Sequence, residues 1–391
     1  MAEVVVLPLG ELMAKRAGSV DPSKYPDEVF DLYSIPAFDK GVHDLAAGSA
    51  IGSTKQVVKP NDILLSKIVP HIRRSWVVGQ YNGRRMIASG EWIVFRSDRV
   101  DPTYLRHVLI SDPFHAQFMS TVSGVGGSLL RARPSEVAKI KIPLPPLLEQ
   151  RRIAAILEQA NALRTMRREA LAQLDALQQS IFIEMFGDPV RNSAAWQIVR
   201  LGDHVSKLGS GSTPTGGDAA YKESGISLIR SLNVHDGAFT YKNLAHIDDQ
   251  QAAKLANVSV EENDILLNIT GASVARVCRA PKDVLPAKVN QHVMIIRPKT
   301  SLNNAFLERL LLTPQMKSRL LQIGGAGATR EAITKAQAEE LPVICPPIEM
   351  QRDFERRLRS LKRVEVFQMK SLGDLNSLCA ALQHRAFAGE L

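Results

Sequence analysis

The chain has 391 residues, 45% of them hydrophobic, with 49 Lys+Arg against 40 Asp+Glu and a formal net charge of +9. At roughly 150 residues per domain this predicts two or three folded units, and the composition excludes a disordered or collagen-like chain. No apolar run approaches the ~20 residues of a membrane span, the N-terminus lacks the basic stretch of a signal peptide, and Cys278, Cys345 and Cys379 have no CxxC spacing. The expectation is a soluble, cytoplasmic, multidomain protein without a disulfide or zinc scaffold, whose mild basicity is compatible with a nucleic-acid partner without establishing one.

Residues 1–144 alternate short apolar runs with turns. Ile63–Leu65 and Trp92–Phe95 read as strands and Leu105–Met119 as one amphipathic helix. Residues 145–189 change character. Pro145-Pro146 suits a helix start, and no Pro or Gly occurs from Gln150 to Phe186. Ile153, Ile156, Ala160, Leu163, Ala170, Leu174, Leu177 and Ile181 recur mostly at steps of three and four, one stripe along a helix roughly 55 Å long. Residues 190–345 are mixed again, with strands at Ile265–Leu267 and Val293–Ile296 and one amphipathic helix over Phe306–Leu321. Residues 346–391 form a second long helix striped by Phe354, Leu358, Leu361, Leu372, Leu375, Leu378 and Leu382, with a weak position at Gly373 that costs up to ~1 kcal/mol relative to Ala.

This order is a repeat. Asn61-Asp-Ile-Leu-Leu-Ser66 returns as Asn263-Asp-Ile-Leu-Leu-Asn268, 202 positions on, and Asn-Asp at each start reads as a turn opening a strand. Pro145-Pro146 with Gln150-Arg151 returns as Pro346-Pro347 with Gln351-Arg352, 201 positions on, and Leu9-Gly10-Glu11 resembles Leu201-Gly202-Asp203. The expected architecture is mixed α/β: two globular domains (1–144 and 190–345) separated by two long helices (145–189 and 346–391). The helices pair as an antiparallel coiled coil about a pseudo-two-fold axis. Divided along these boundaries the charge balance is +4, −1, +4 and +2, so most of the excess lies on the two domains.

Pro143-Leu-Pro-Pro-Leu-Leu-Glu-Gln-Arg-Arg152, the helix it opens through Phe186-Gly187-Asp188, and the second copy from Pro346 to Leu391 resemble the specificity subunits of type I restriction–modification enzymes. Ile35-Pro-Ala-Phe-Asp-Lys-Gly41, Asn61–Lys67, Gly209–Gly217 and Gly324-Gly325 share in the resemblance, which covers essentially the whole chain. One departure is Glu349-Met350-Gln351 against Leu148-Glu149-Gln150, which predicts that the second helix start is capped or docked differently. The resemblance implies two target-recognition domains, each reading one half of a bipartite, asymmetric double-stranded DNA site, held at fixed spacing by the helices. It implies a non-catalytic chain with no cofactor of its own. Two methyltransferase (modification) subunits and the restriction subunits would carry S-adenosylmethionine, ATP and Mg.

The residues agree on catalysis: GxxxxGK[ST], HExxH, GxSxG and the Asn/Asp-Pro-Pro-aromatic stretch of amino-methyltransferases are all missing. The histidines have no metal-ligand spacing. Phosphates call for Arg and Lys, and base edges for Arg, Asn, Gln or Ser. The candidate DNA contacts in the first domain are Arg73, Arg74, Arg84, Arg85, Arg131 and Arg133. In the second they are Ser212, Thr213, Arg230, Arg276, Arg279, Lys288 and Arg330, with Arg330 following Gly324-Gly325 as Arg131 and Arg133 follow Gly126-Gly127. For each, a solvated surface charge is the competing reading. A structural or adaptor coiled coil with two protein-binding end domains is the alternative for the whole chain, and a stand-alone DNA-modifying enzyme the remotest.

Overall fold

The computed structural model describes residues 4–15, 18–123, 130–213, 220–325 and 332–388. The chain divides into two compact units: unit 1, Met1–Arg168 with Lys370–Leu391, and unit 2, Glu169–Met369.

In unit 1 the fully buried run Ile63–Ser66 is the central strand between Ser75–Val77 and Trp92–Phe95, antiparallel to both. Burial on both faces explains why its sequence is continuously apolar rather than alternating. A five-stranded sheet follows in the order Ser19–Val20, Lys55–Val57, Met86–Ala88, Val29–Tyr33, Asp44–Ala47, with its Met86–Val29 pair parallel. Unit 2 repeats the pattern. Ile265–Asn268 lies between Val277–Arg279 and Val293–Pro298, with Val205–Ser210 outside the latter. Ile63 faces Val77 and Phe95, while Ile265 faces Arg279 and Ile296, so the strand registers reproduce the sequence repeat.

The Asn-Asp turns are as expected, and the Asp has a further use. Asn61 and Asn263 take φ of 67° and 66°, the left-handed region that Asn tolerates. Asp62 and Asp264, each 1% exposed, then accept the Lys59 and Glu261 amides at 2.8 and 2.7 Å. Both clamp an arginine with both oxygens: Arg96 at 2.7 and 2.5 Å, Arg297 at 2.7 and 2.8 Å.

Each predicted amphipathic helix is in fact two. Pro102–Leu109 and Asp112–Ser120 break at Ser111, and Asn304–Leu312 and Pro314–Gly325 break at Thr313. The Ser111 and Thr313 hydroxyls cap the following turns, accepting from Phe114 and Met316 at 3.4 and 3.3 Å. Pro113, two residues after Ser111, and Pro314, next to Thr313, have no N–H with which to continue the preceding helix.

The long helices run over Leu147–Phe186 and Ile348–Ala388. The first ends where Gly187 takes φ 75° and donates to the Ile183 carbonyl at 2.8 Å, a left-handed stop that any Cβ would strain. In unit 1, Ile153, Ala154 and Leu157 share a core with Leu382, Ala386 and Phe387, and Arg164 Nε donates to Asn376 Oδ1 at 2.9 Å. In unit 2, Gln178 Nε2 donates to Glu365 Oε2 at 3.1 Å, and Phe186 lies 5.5 Å from Phe354. Within each unit early residues of one helix meet late residues of the other, so the pairing is antiparallel. The seam is narrower and more polar than the sequence stripe. Leu163, Leu177 and Leu378 are about half exposed, and Arg164 and Gln178 occupy positions facing the partner helix.

The helix starts are docked alike, against expectation. Gln150 accepts from the Asp101 amide at 2.7 Å and donates to the Arg99 and Pro145 carbonyls at 3.1 and 2.8 Å. Gln351 accepts from Asn303 at 2.8 Å and donates to Ser301 and Pro346 at 3.2 and 2.7 Å. The buried Gln fixes the start, and the displaced Glu only changes a surface pair, Glu149–Arg152 against Glu349–Arg352.

Candidate nucleic-acid interface

The arginines of unit 1 are mostly engaged within the fold. Arg74, 9% exposed in its side chain, holds Asp39 with two bonds of 2.8 Å and keeps that carboxyl below its ordinary range. Arg84 pairs with the fully buried Asp31 at 2.7 Å. Arg85 forks onto Glu28 and lies over the Tyr25 ring at 4.0 Å; the Glu28 hydrogen bond raises its already high pKa. Arg73 bonds Asp112 at 2.6 Å and the Ile110 carbonyl at 3.1 Å. These four are therefore clamps between segments distant in sequence. Arg131, 61% exposed, touches Glu91 at 3.0 Å, and the exposed Arg133 approaches the Thr121 carbonyl at 3.5 Å.

The backbone nevertheless gathers part of this set. Ser66 N–H donates to the Arg74 carbonyl, Lys67 N–H to Glu91, Ala132 N–H to Lys67 and Val69 N–H to Leu130. Arg73, Arg74 and Arg131 thus share one rim with Lys67 and the loop 67–74. Arg84 and Arg85 lie elsewhere, before the strand Met86–Ala88.

In unit 2 the equivalent rim is built around Asn290, which is 4% exposed. Its amide donates to the Ile229 carbonyl at 3.1 Å, its carbonyl accepts from Gly211 at 3.1 Å, and its side chain accepts from the His292 amide at 3.0 Å. Three segments are tied at one residue: Gly211 to Thr213, Ile229-Arg230, and Gln291-His292. Gly211 has no alternative, because a Cβ there would sit 1.9 Å from the Val289 carbonyl. Of the candidates, Ser212, Thr213 and Arg230 come together here. Arg276 joins from the neighbouring strand, its carbonyl accepting from Asn268 at 2.9 Å. Arg230 donates to the Asn243 carbonyl at 2.7 Å and lies over the Tyr221 ring at 4.9 Å. Arg276 is half-buried and has no side-chain partner among the described residues.

Arg279 and Lys288 are not part of the rim. Arg279, at the other end of its strand, bonds Glu308 at 2.7 Å. Lys288 donates to Ser259 at 2.6 Å, and burial lowers its pKa. Arg330 and the Gly126-Gly127 turn lie outside the described residues. Among the described residues, Gly324 and Gly325 end the helix Pro314–Gly325, and the bridges Ile68–Arg131 and Thr270–Ala332 match Arg131 with Ala332.

The sequence reading missed a chain of side chains on this rim. Thr213 Oγ1 donates to Gln291 Oε1, Gln291 Nε2 lies 3.0 Å from His292 Nε2, and His292 Nδ1 lies 2.6 Å from Thr270 Oγ1. The matched strand registers of the two halves, Ser66 against Trp92 and Asn268 against Val293, are the signal that finds it. His292 occupies the place of Glu91 and Gln291 that of Gly90, so equal backbones carry unequal side chains. Among the described residues no group of His, Cys, Asp and Glu is arranged to hold a metal.

The model of the type I restriction modification DNA specificity domain matches the chain twice, over residues 2–175 and 194–366. The chain belongs to this family. The putative type I restriction enzyme MjaX specificity subunit of Methanocaldococcus jannaschii is 24% identical over 247 residues, 58% of this chain and 53% of its own. The match thus spans about half the length of that curated relative. Two solved structures share the fold. A chain of the type I R-M system, determined for the structural basis of its complex assembly and conformational transition, aligns over 99% of this chain and 98% of its own, with TM-score 0.59 and 22% identity. The S subunit of a type I restriction–modification system from M. genitalium aligns over 99% and 96%, with TM-score 0.59 and 12% identity. The specificity family accounts for the doubled mixed α/β organisation, since each match takes in one repeat and ends inside a long helix.

Proposed function

We propose that this chain is the DNA-reading subunit of a type I restriction–modification complex, each unit contacting one half of a bipartite, asymmetric duplex site. One observation carries the reading. The two halves keep the same scaffold (Asp62–Arg96 with Asp264–Arg297, Gln150 with Gln351, and Arg74 with Arg276 on the rims), while other rim positions differ: Glu91 against His292, Gly90 against Gln291, Ile68 against Thr270 and Arg131 against Ala332. A shared frame with divergent hydrogen-bonding rims suits two modules that present one geometry to two different base sequences. The balance of +4 on each variable segment supplies the phosphate attraction. An adaptor that binds proteins at both ends has no such need for basic charge divided equally between its modules, and the family does not favour it.

In this reading the rim cations Lys67, Arg131, Arg133, Arg230 and Arg276 meet the phosphates. The long helices hold the half-sites at fixed spacing and dock two methyltransferase subunits. S-adenosylmethionine, ATP and Mg belong to those and the restriction subunits, all in the cytoplasm. No helix among the described residues is long and apolar enough to cross a membrane. The test is methylome sequencing of cells that carry the chain with its partner subunits. Exchanging residues 190–345 for another family member's segment should replace one half-site and leave the other. If both half-sites persist, the modular reading is wrong.

A further inference from the structure

The Thr213–Gln291–His292–Thr270 chain does something that the surrounding ion pairs do not: it fixes an exposed amide without using it up. A glutamine amide has two N–H groups and two oxygen lone pairs. On Gln291 the oxygen accepts from Thr213, and the nitrogen lies against His292 Nε2. With that nitrogen donating, the imidazole carries its own proton at Nδ1 and donates a hydrogen bond to Thr270 Oγ1 at 2.6 Å. One N–H and one lone pair of the same amide are left over on a residue exposed to solvent. The backbone beneath is held by the buried Asn290, so the amide starts from a rigid strand end rather than a floppy loop.

A paired donor and acceptor on one planar group is the complement of the adenine edge in the major groove, where N6–H donates and N7 accepts. Guanine offers two acceptors there and cannot satisfy the free carbonyl lone pair. Arg276 stands two strands away, roughly 10 Å, with no side-chain partner among the described residues, at a distance suited to the adjoining phosphate. Unit 1 has Gly90 at the equivalent place, so it cannot make this contact.

We propose that Gln291 is the adenine-reading residue of unit 2, oriented by Thr213 and His292. This rests on the DNA-reading function proposed above and adds the base class and the residue.

The test compares the full chain with Gln291→Ala and Gln291→Glu, each assembled with its modification subunits, by mapping methylated sites and measuring binding to duplexes varied at every position. Gln291→Ala should relax one adenine position of one half-site by about 5- to 150-fold, the range set by a single bidentate pair. Gln291→Glu, which only accepts, should lose adenine and shift that position toward cytosine, whose N4–H donates. The unit 1 half-site should read as before in both variants, which also shows that they are folded. Unchanged preference at every position, or uniform weakening across sequences as for a phosphate contact, overturns the assignment while the bipartite site stands. If the wild-type complex shows no bipartite site at all, the proposed function falls and this assignment with it.

Discussion

Gln351→Met tests whether the buried glutamine at the helix start holds the second long helix to unit 2. Gln351 is fully buried and makes three hydrogen bonds, all to backbone. Methionine keeps the length and volume of the side chain and removes all three. The Ser301 carbonyl retains the Cys345 thiol at 3.7 Å, a weak donor. The Asn303 amide and Pro346 carbonyl lose the partner they have. At about 1–3 kcal/mol for each buried group left unpaired, and allowing for non-additivity, the cost is about 3 kcal/mol. That corresponds to a fall of roughly 6–12 °C in melting temperature for a unit of this size. Gln150→Met removes the same three bonds from unit 1 and should cost the same within about 1 kcal/mol. The assay is urea unfolding followed by hydrogen exchange in peptides spanning 301–306 and 99–104, each reporting its own unit. A loss below about 1 kcal/mol for either variant refutes the clamp, and costs that differ several-fold refute the equivalence of the two starts.

Asp264→Ala should destabilise unit 2 by about 3 kcal/mol, at the lower end for a broken buried pair because Arg297 keeps Glu261 and is 23% exposed. Asp264→Ala with Arg297→Met should regain most of that in a denaturation cycle, and an equal or larger loss in the double variant would rule out charge burial as the cause. Gly373→Ala should stabilise the second long helix by up to ~1 kcal/mol, since a Cβ there meets nothing within 4 Å, and a lower urea midpoint would contradict this. His107 is held below the ordinary imidazole range, first by burial and then by Arg106, against the raising effect of Glu158 at 2.6 Å. Its unfolded form therefore binds the proton first. The stability it contributes is whole above about pH 6.5 and is lost as pH falls below that value. The unit 1 urea midpoint should drop between pH 7.5 and 5.5, and less so in His107→Gln; an identical drop in both would assign the effect elsewhere.

The repeat, the central strands and the long helices were legible because each is written locally, in doubled motifs or in a spacing of three and four. The helix breaks were also local, in Ser111-Asp112-Pro113 and Thr313-Pro314, but the apolar spacing on either side hid them. The fate of the arginines was not legible. Arg74, Arg84 and Arg85 find Asp39, Asp31 and Glu28 at separations of 35, 53 and 57 residues, set by tertiary pairing alone. Gln291 drew no notice because nothing in its own neighbourhood of sequence marks it. Only its matched position against Gly90 and its hydrogen bond to Thr213, 78 residues away, do so.

The core of unit 1 joins Leu7 and Leu9 to Leu382, Ala386 and Phe387, with Phe387 packed 6.0 Å from Tyr104. Unit 2 is drawn from one continuous stretch, Glu169–Met369. On the ribosome this reverses the usual order of domain completion. Unit 2 has all its residues while the last turns of the second helix are still being made, whereas unit 1 must wait, its apolar face open, for residues 382–387 to emerge. The half of the protein that is translated first is the half that finishes folding last.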